Sequence, residues 1–153
     1  FVEVLRSMGC SVGEDDDGIV VERQGPLRGT TVDMRDFSDT APTLAALAAV
    51  AEGVTRISGI GFIRRKESDR IGDVINELRK CGVRCVEEAD GLLIEGGSAR
   101  GSTIATHHDH RIAMSFAVLG LAVGGMQVED PDVVSKSFPG FWKMIDGLTG
   151  VGR

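Results

Sequence analysis

Apolar positions along the chain fall into short blocks that switch between a helical and a strand rhythm. Phe1, Val4, Leu5 and Met8 form one helical stripe, closed by Gly9, a residue suited to the position just past a helix end. Ser11–Gly13 and Ile19–Glu22 read as paired strands, with the acidic run Glu14–Asp17 and Gly18 as their turn. Gln24–Gly29 is a loop containing Pro26, and Thr30–Met34 reads as a strand. Ser38, Asp39 and Pro42 open a helix rich in Ala and Leu that runs to about Ala51 and is stopped by Gly53. Val54–Ile57 is a short strand. Ile71, Val74, Ile75 and Leu78 mark one face of a helix ending near Cys81-Gly82. Val83–Glu87 and Leu92–Ile94 flank a second acidic turn, ending in Asp90-Gly91. Gly101–Ala105 is a strand, and His107–Arg111 opens a helix. That helix, Ile112–Val123, is apolar on every side and is therefore expected to be buried. Met126–Val128 is a strand. Lys136-Ser137-Phe138-Pro139 opens the last helix, with Phe141, Trp142, Ile145 and Leu148 as its stripe.

The order repeats. Gly9 and Gly82, Asp17-Gly18 and Asp90-Gly91, Gly29 and Gly101, and Lys66 and Lys136 recur at a spacing of about 70 residues. Each unit reads as a split βαβ-like α+β module. The chain holds the tail of one unit, one whole unit and most of another. Because Phe1 lies inside an element, the sequence is expected to be a piece of a longer protein. The alternating strands and the all-apolar helix predict helices facing inward and sheets facing outward. Polar loops fall at equivalent places in the units: Asp39 and His107–Arg111 at one helix start, Arg64–Arg70 and Lys136-Ser137 at the other. If the units pack around a pseudo-axis, these helix starts converge, which suits an anion.

Composition narrows the options. The chain has 153 residues, 42% of them hydrophobic, enough for one domain with a real core. A net charge of -6 disfavours broad nucleic-acid binding, which needs a basic face. The three cysteines, Cys10, Cys81 and Cys85, are too few and odd in number for a disulfide framework, which fits a reducing cytoplasmic setting; no membrane-spanning run is visible. Metal binding is not expected. Cys81 and Cys85 have no second pair, and three imidazoles within His107–His110 cannot all reach one ion from a helix start.

Against the acidic background, Arg64-Arg65-Lys66-Glu67-Ser68-Asp69-Arg70 packs four cations and two carboxylates into seven residues just before a helix. Ser68 and Asp69 are both good N-cap residues. Lys66 and Arg70 add fixed charge, and Arg can grip a phosphate or carboxylate with two parallel bonds. Glu67 lies among these cations, where a carboxyl can be tuned for proton transfer. The plainer alternative is a solvated helix start with local ion pairs. Asp39 has a plain alternative too, an N-cap contributing roughly 1 kcal/mol. The His107–Arg111 stretch reads as an anion site using Arg111, with His110 or Asp109 orienting it; the plainer alternative is a surface helix cap. No Walker-type phosphate loop and no Gly-x-Ser-x-Gly elbow is present.

Three stretches resemble motifs of the enolpyruvylshikimate phosphate synthase family: Arg64–Arg70, His108-Asp109-His110-Arg111-Ile112-Ala113-Met114, and Lys136-Ser137-Phe138-Pro139. The Asp39 loop before an Ala-rich helix is a fourth match. The motifs come in the family's order and reach nearly the whole chain. The resemblance implies an α+β fold of repeated βαβαββ units, helices inward and sheets outward, as in the inside-out α/β barrel of enolpyruvyl transferases. Residues 1–153 would then be part of the C-terminal domain of a two-domain enzyme, about two of its three units, partnered by an N-terminal domain of the same protein.

The implied reaction moves the enolpyruvyl group of phosphoenolpyruvate to the 5-hydroxyl of shikimate 3-phosphate, releasing phosphate without metal or organic cofactor. Asp39 matches the acid that contacts the shikimate hydroxyl and accepts its proton. Lys66 matches a contact on the shikimate-phosphate side, and Glu67 the carboxyl that handles the methylene proton. Arg70, Arg111 and Lys136 match the cations that hold phosphoenolpyruvate; His110 matches a neighbour. Phe62 and Ile63 are apolar where some relatives carry contacting side chains, so no role is carried over there. The chain alone is expected to be inactive. The related transferase acting on UDP-N-acetylglucosamine lacks the Lys-Glu-x-Asp-Arg and Asp-His-Arg motifs. The remaining alternative is a non-catalytic repeat module that binds anions or a partner.

Overall fold

In a computed structural model of the chain, residues 1–149 are described. Both expected hairpins form on their acidic turns: β1 (Cys10–Asp15) with β2 (Gly18–Arg23), and β5 (Arg84–Glu88) with β6 (Gly91–Glu95). Helices follow the predicted order: α1 (Val2–Ser7), α2 (Ala41–Val50), α3 (Gly72–Lys80), α4 (His110–Val123) and α5 (Phe141–Thr149). The remaining strands are β3 (Thr31–Asp33), β4 (Val54–Ser58), β7 (Thr103–Ile104) and β8 (Gln127–Val128).

Topology reproduces the repeat. β3 and β4 are parallel, joined through α2; β7 and β8 are parallel, joined through α4. The second hairpin adds to the first of these pairs, giving a four-stranded sheet in the order β3-β4-β6-β5 with β6 antiparallel to β4. Glycine at two equivalent positions has one physical reason. A Cβ on Gly29 would sit 2.2 Å from the Val54 carbonyl oxygen, and one on Gly101 would sit 2.3 Å from that of Gly124, so each unit needs a bare backbone where its first strand starts. The units meet between α2 and α4. There Thr43 Oγ1 and Ser115 Oγ, 72 residues apart in sequence, lie 3.3 Å from each other.

Helices face inward and the sheet faces outward. Thr55 and Ile57 of β4 and Leu92 and Ile94 of β6 are buried, while Val54 and Val86 lie exposed on the other face. The all-round apolar character of α4 is explained by two cores. Ile112, Phe116 and Leu119 join the main core with α2, α3 and the sheet; Ala113 and Ala117 join a second cluster with Val134 and Phe141.

Three expectations need correction. Burial of α4 ends before its last turn, where Leu121 and Ala122 are exposed. Leu148, the last member of the α5 stripe, is also exposed. The alternation expected for Ile19–Glu22 is not realised as burial. All six residues of β2 are exposed, because among the described residues β2 pairs with β1 alone.

Candidate active site

The Arg64–Arg70 stretch is held from both ends. Its entrance is a short helical turn, Gly61–Arg65, fixed by the buried Ile63 and by the Asp90 carboxylate, which accepts from the backbone N–H of Gly61 at 2.7 Å and of Gly59 at 3.2 Å. Arg64 turns away from the cluster. Its guanidinium donates to Asp69 at 2.9 Å, to Glu87 at 2.7 Å and to the Glu88 carbonyl at 2.8 Å, tying the loop to the β5–β6 hairpin. Asp69 accepts from the N–H groups of Ile71 and Gly72 at 3.1 and 3.0 Å and so caps α3. Burial would raise its carboxyl, but those amides and Arg64 outweigh it and hold Asp69 below the usual carboxylate range. Ser68 does not cap the helix; its hydroxyl donates to Asp109 at 3.1 Å.

Arg70 is the hub. Its side chain is 1% exposed, and every guanidinium nitrogen has a carboxylate partner. Nε donates to Asp109 Oδ2 at 2.7 Å, Nη1 to Asp39 Oδ1 at 3.1 Å, and Nη2 to Glu67 Oε2 at 2.6 Å. Asp109, 0% exposed, also accepts from the Arg111 N–H at 2.8 Å, so one carboxylate caps α4 and grips Arg70. Burial would raise the Asp109 carboxyl; Arg70, the Arg111 amide and Ser68 together keep it below its ordinary value. Asp39 bridges the two arginines. Its other oxygen accepts from Arg111 Nη2 at 2.8 Å, and its backbone carbonyl from Nη1 at 3.3 Å. Asp39 and Arg111 are 72 residues apart, the same separation as Thr43 and Ser115, so the pair joins equivalent points of the repeat.

Asp39, Glu67, Arg70 and Arg111 therefore form one network. Asp39 is not an N-cap, since its carboxylate faces guanidinium groups rather than the first turn of α2. His110 lies buried beside the network, its Nδ1 without a hydrogen-bond partner. Burial pushes its pKa down; Asp109 and Glu67 oppose that, while Arg111 and Lys136 add to it, so Lys136 and Glu67 both act on this ring. Lys66 and Lys136 are exposed, and among the described residues neither has an ion-pair partner. Lys66 ends the Gly61–Arg65 turn; Lys136 ends a similar turn, Pro131–Lys136.

Two features depart from the sequence reading. Asp69 and Asp109 already accept from N–H groups at the starts of α3 and α4, from Ile71 and Gly72 and from Arg111, so these helix starts carry a carboxylate of the chain itself. Buried Glu77 was also missed. It is 1% exposed on α3, and accepts from the Ala105 N–H at 3.1 Å while lying 2.7 Å from His107 Nε2 and 2.8 Å from Lys80. Its position beside Val74 and Leu78 on the apolar stripe was the available signal, since a carboxylate there needs partners. Among the described residues no group of three His, Cys, Asp or Glu is arranged to hold a metal, and no helix is long and apolar enough to cross a membrane.

The arrangement offers two half-exposed carboxylates, Asp39 and Glu67, held on one buried guanidinium, with exposed Lys66 next to Glu67 in the chain and exposed Lys136 acting on His110. Proton transfer beside a bound anion is the chemistry such a layout can perform. Comparison with known proteins bears on it directly. The family described as EPSP synthase (3-phosphoshikimate 1-carboxyvinyltransferase) matches residues 1–145. A 3-phosphoshikimate 1-carboxyvinyltransferase of Syntrophobacter fumaroxidans is 48% identical over 150 residues, covering 97% of this chain and 36% of the relative. That of Methanoculleus marisnigri is 47% identical over 147 residues, covering 96% and 35%. Among solved structures, EPSP synthase from Acinetobacter baumannii superposes with a TM-score of 0.83 at 32% identity, over 95% of this chain and 37% of that one. The chain thus spans 35–37% of the length of these proteins.

Proposed function

The chain belongs to the EPSP synthase family, and on that premise we propose that it forms one wall of the active site of a 3-phosphoshikimate 1-carboxyvinyltransferase. In this reading it is about two of three repeat units of a C-terminal domain, and a second, N-terminal domain closes over the cleft. Phosphoenolpyruvate carries a phosphate and a carboxylate, so Arg70, Arg111 and Lys136 hold it while Lys66 faces the phosphate of shikimate 3-phosphate. Asp39 takes the proton from the 5-hydroxyl as that oxygen bonds to C2 of phosphoenolpyruvate. Glu67 hands a proton to the methylene carbon. In the second step Glu67 takes a proton back from the new methyl group, the C–O bond to phosphate breaks, and the proton held by Asp39 leaves with the phosphate. His110, kept neutral by burial, adds no positive charge to this centre. No cofactor is required. Free cysteines at positions 10, 81 and 85 suit a cytoplasmic setting.

The observation that carries the reading is the shared guanidinium. Asp39 and Glu67 lie on two nitrogens of Arg70, at 3.1 and 2.6 Å, so an acid and a base sit together beside the same anion ligands. Phosphate release in the presence of both substrates tests it. A two-domain protein carrying this sequence turns over, and the chain alone does not, because closure completes such sites and excludes water. Titration of the chain separates the non-catalytic alternative: equal affinity for shikimate 3-phosphate and a generic sugar phosphate, with no release by the two-domain protein, would overturn the proposal.

A further inference from the structure

His107 and His108 are the two residues other than glycine with positive φ, at 52° and 58°, among the described residues. They stand side by side immediately before Asp109. Side chains with a Cβ enter this region at a cost, and consecutive examples persist only where the surroundings over-determine them. At His107 the surroundings do so; His108 is 93% exposed, its Nδ1 3.9 Å from Asp130 Oδ2. His107 Nε2 lies 2.7 Å from Glu77 Oε1, and its Nδ1 lies 3.4 Å from Asp73 Oδ1. The other oxygen of Glu77 accepts from the Ala105 N–H at 3.1 Å, and Lys80 closes the cluster at 2.8 Å. Asp109 N–H then donates to the Thr106 carbonyl at 2.9 Å, completing the turn.

Asp73, Glu77 and Lys80 all stand on α3, the helix that Arg70 precedes. The loop bearing Asp109 is thus tied to α3 through His107 at Glu77, and to the segment leading into α3 through Asp109 at Arg70. We propose that His107 and Glu77 are positioning residues for the transferase site, a clamp that sets Asp109, and through it Arg70 and Arg111, in catalytic register. The inference rests on the functional reading above; neither residue touches substrate in it.

Two measurements test the clamp. Amide hydrogen exchange on the 153-residue chain compares wild type with His107→Ala and Glu77→Gln. The clamp requires exchange at Asp109 and Arg111 to accelerate at least tenfold while α2 amides stay within twofold. Kinetics of the two-domain protein require kcat to fall at least tenfold in His107→Ala. His107→Asn, which tolerates positive φ and keeps an N–H donor, should recover part of that loss. A His107→Ala protein with turnover within twofold of wild type overturns the proposal. So does exchange that rises equally in α2, which would reveal general loosening. If the wild-type two-domain protein releases no phosphate, the functional reading fails instead, and the exchange pattern still decides whether the clamp holds the loop.

Discussion

The floor and the rim of the site come from the same motifs but stand in opposite relations to water. At the floor, Arg70 and Asp109 are sealed from solvent and satisfy each other, with Ser68 and the Arg111 amide completing the set. At the rim, Glu67 and Asp39 have side chains 40% and 49% exposed, and Lys66 and Lys136 reach into solvent. Burying a charge is tolerable only when its partner and hydrogen bonds are already in place. The floor is therefore preorganised, and Arg70 takes an incoming anion only by exchanging its bonds to the half-exposed Asp39 and Glu67. The rim keeps its groups hydrated and can exchange both protons and partners. One motif, Lys66–Arg70, thus holds a sealed group and half-exposed ones within a few residues.

The contrast breaks most visibly at Asp109. Asp109→Ala leaves Arg70 buried without its main partner and should destabilise the fold by about 3–5 kcal/mol. Denaturant unfolding measures this; a loss under about 1 kcal/mol would mean that the floor is not structural. Glu67→Gln probes the other side. In the two-domain protein it should lower turnover roughly a hundredfold to ten-thousandfold, as for loss of a general acid–base group. Its stability should stay within about 1 kcal/mol of wild type, since a part-exposed ion pair contributes little. Unchanged turnover would remove Glu67 from the chemistry.

Lysine at the rim should act more gently still. Lys136→Ala should weaken phosphoenolpyruvate binding by about tenfold and flatten its salt dependence, because an exposed charge is screened. Isothermal titration at two ionic strengths reads both effects. The smallest effect sharpens the comparison by pH. His110 has a depressed pKa in the folded chain, so its contribution is fully present above the ordinary value of 6.5 and is lost as pH falls below it. Asp109, depressed below 3.8, loses its contribution only at more acidic pH. Stability should therefore decline in two stages on acidification, and His110→Gln should remove the first stage alone.

Much of this was legible in the chain. The period of about 70 residues, the acidic hairpin turns and the apolar helix stripes are local patterns, and the structure follows them. The motif residues were legible as a group because their chemistry is unusual for an acidic chain. Their division of labour was not. Nothing local distinguishes Arg64, which braces a hairpin, from Arg70, which holds three carboxylates. Nor does sequence distance reveal that Asp39 and Arg111 share an ion pair, or that His107 leans on Glu77.

The two hairpins state the same limit in apolar terms. Both turn at Asp-Gly, and both carry a run of aliphatic residues in the second strand. Leu92 and Ile94 are buried because β6 pairs with β4 and lies over the helices, whereas Ile19, Val20 and Val21 are exposed. Periodicity, turns and caps depend on neighbours within a few residues, so the sequence alone determined the elements, their order and the residue types gathered at the site. Burial, ion pairing and strand partnership depend on groups brought together from tens of residues away, and those the tertiary structure alone decided.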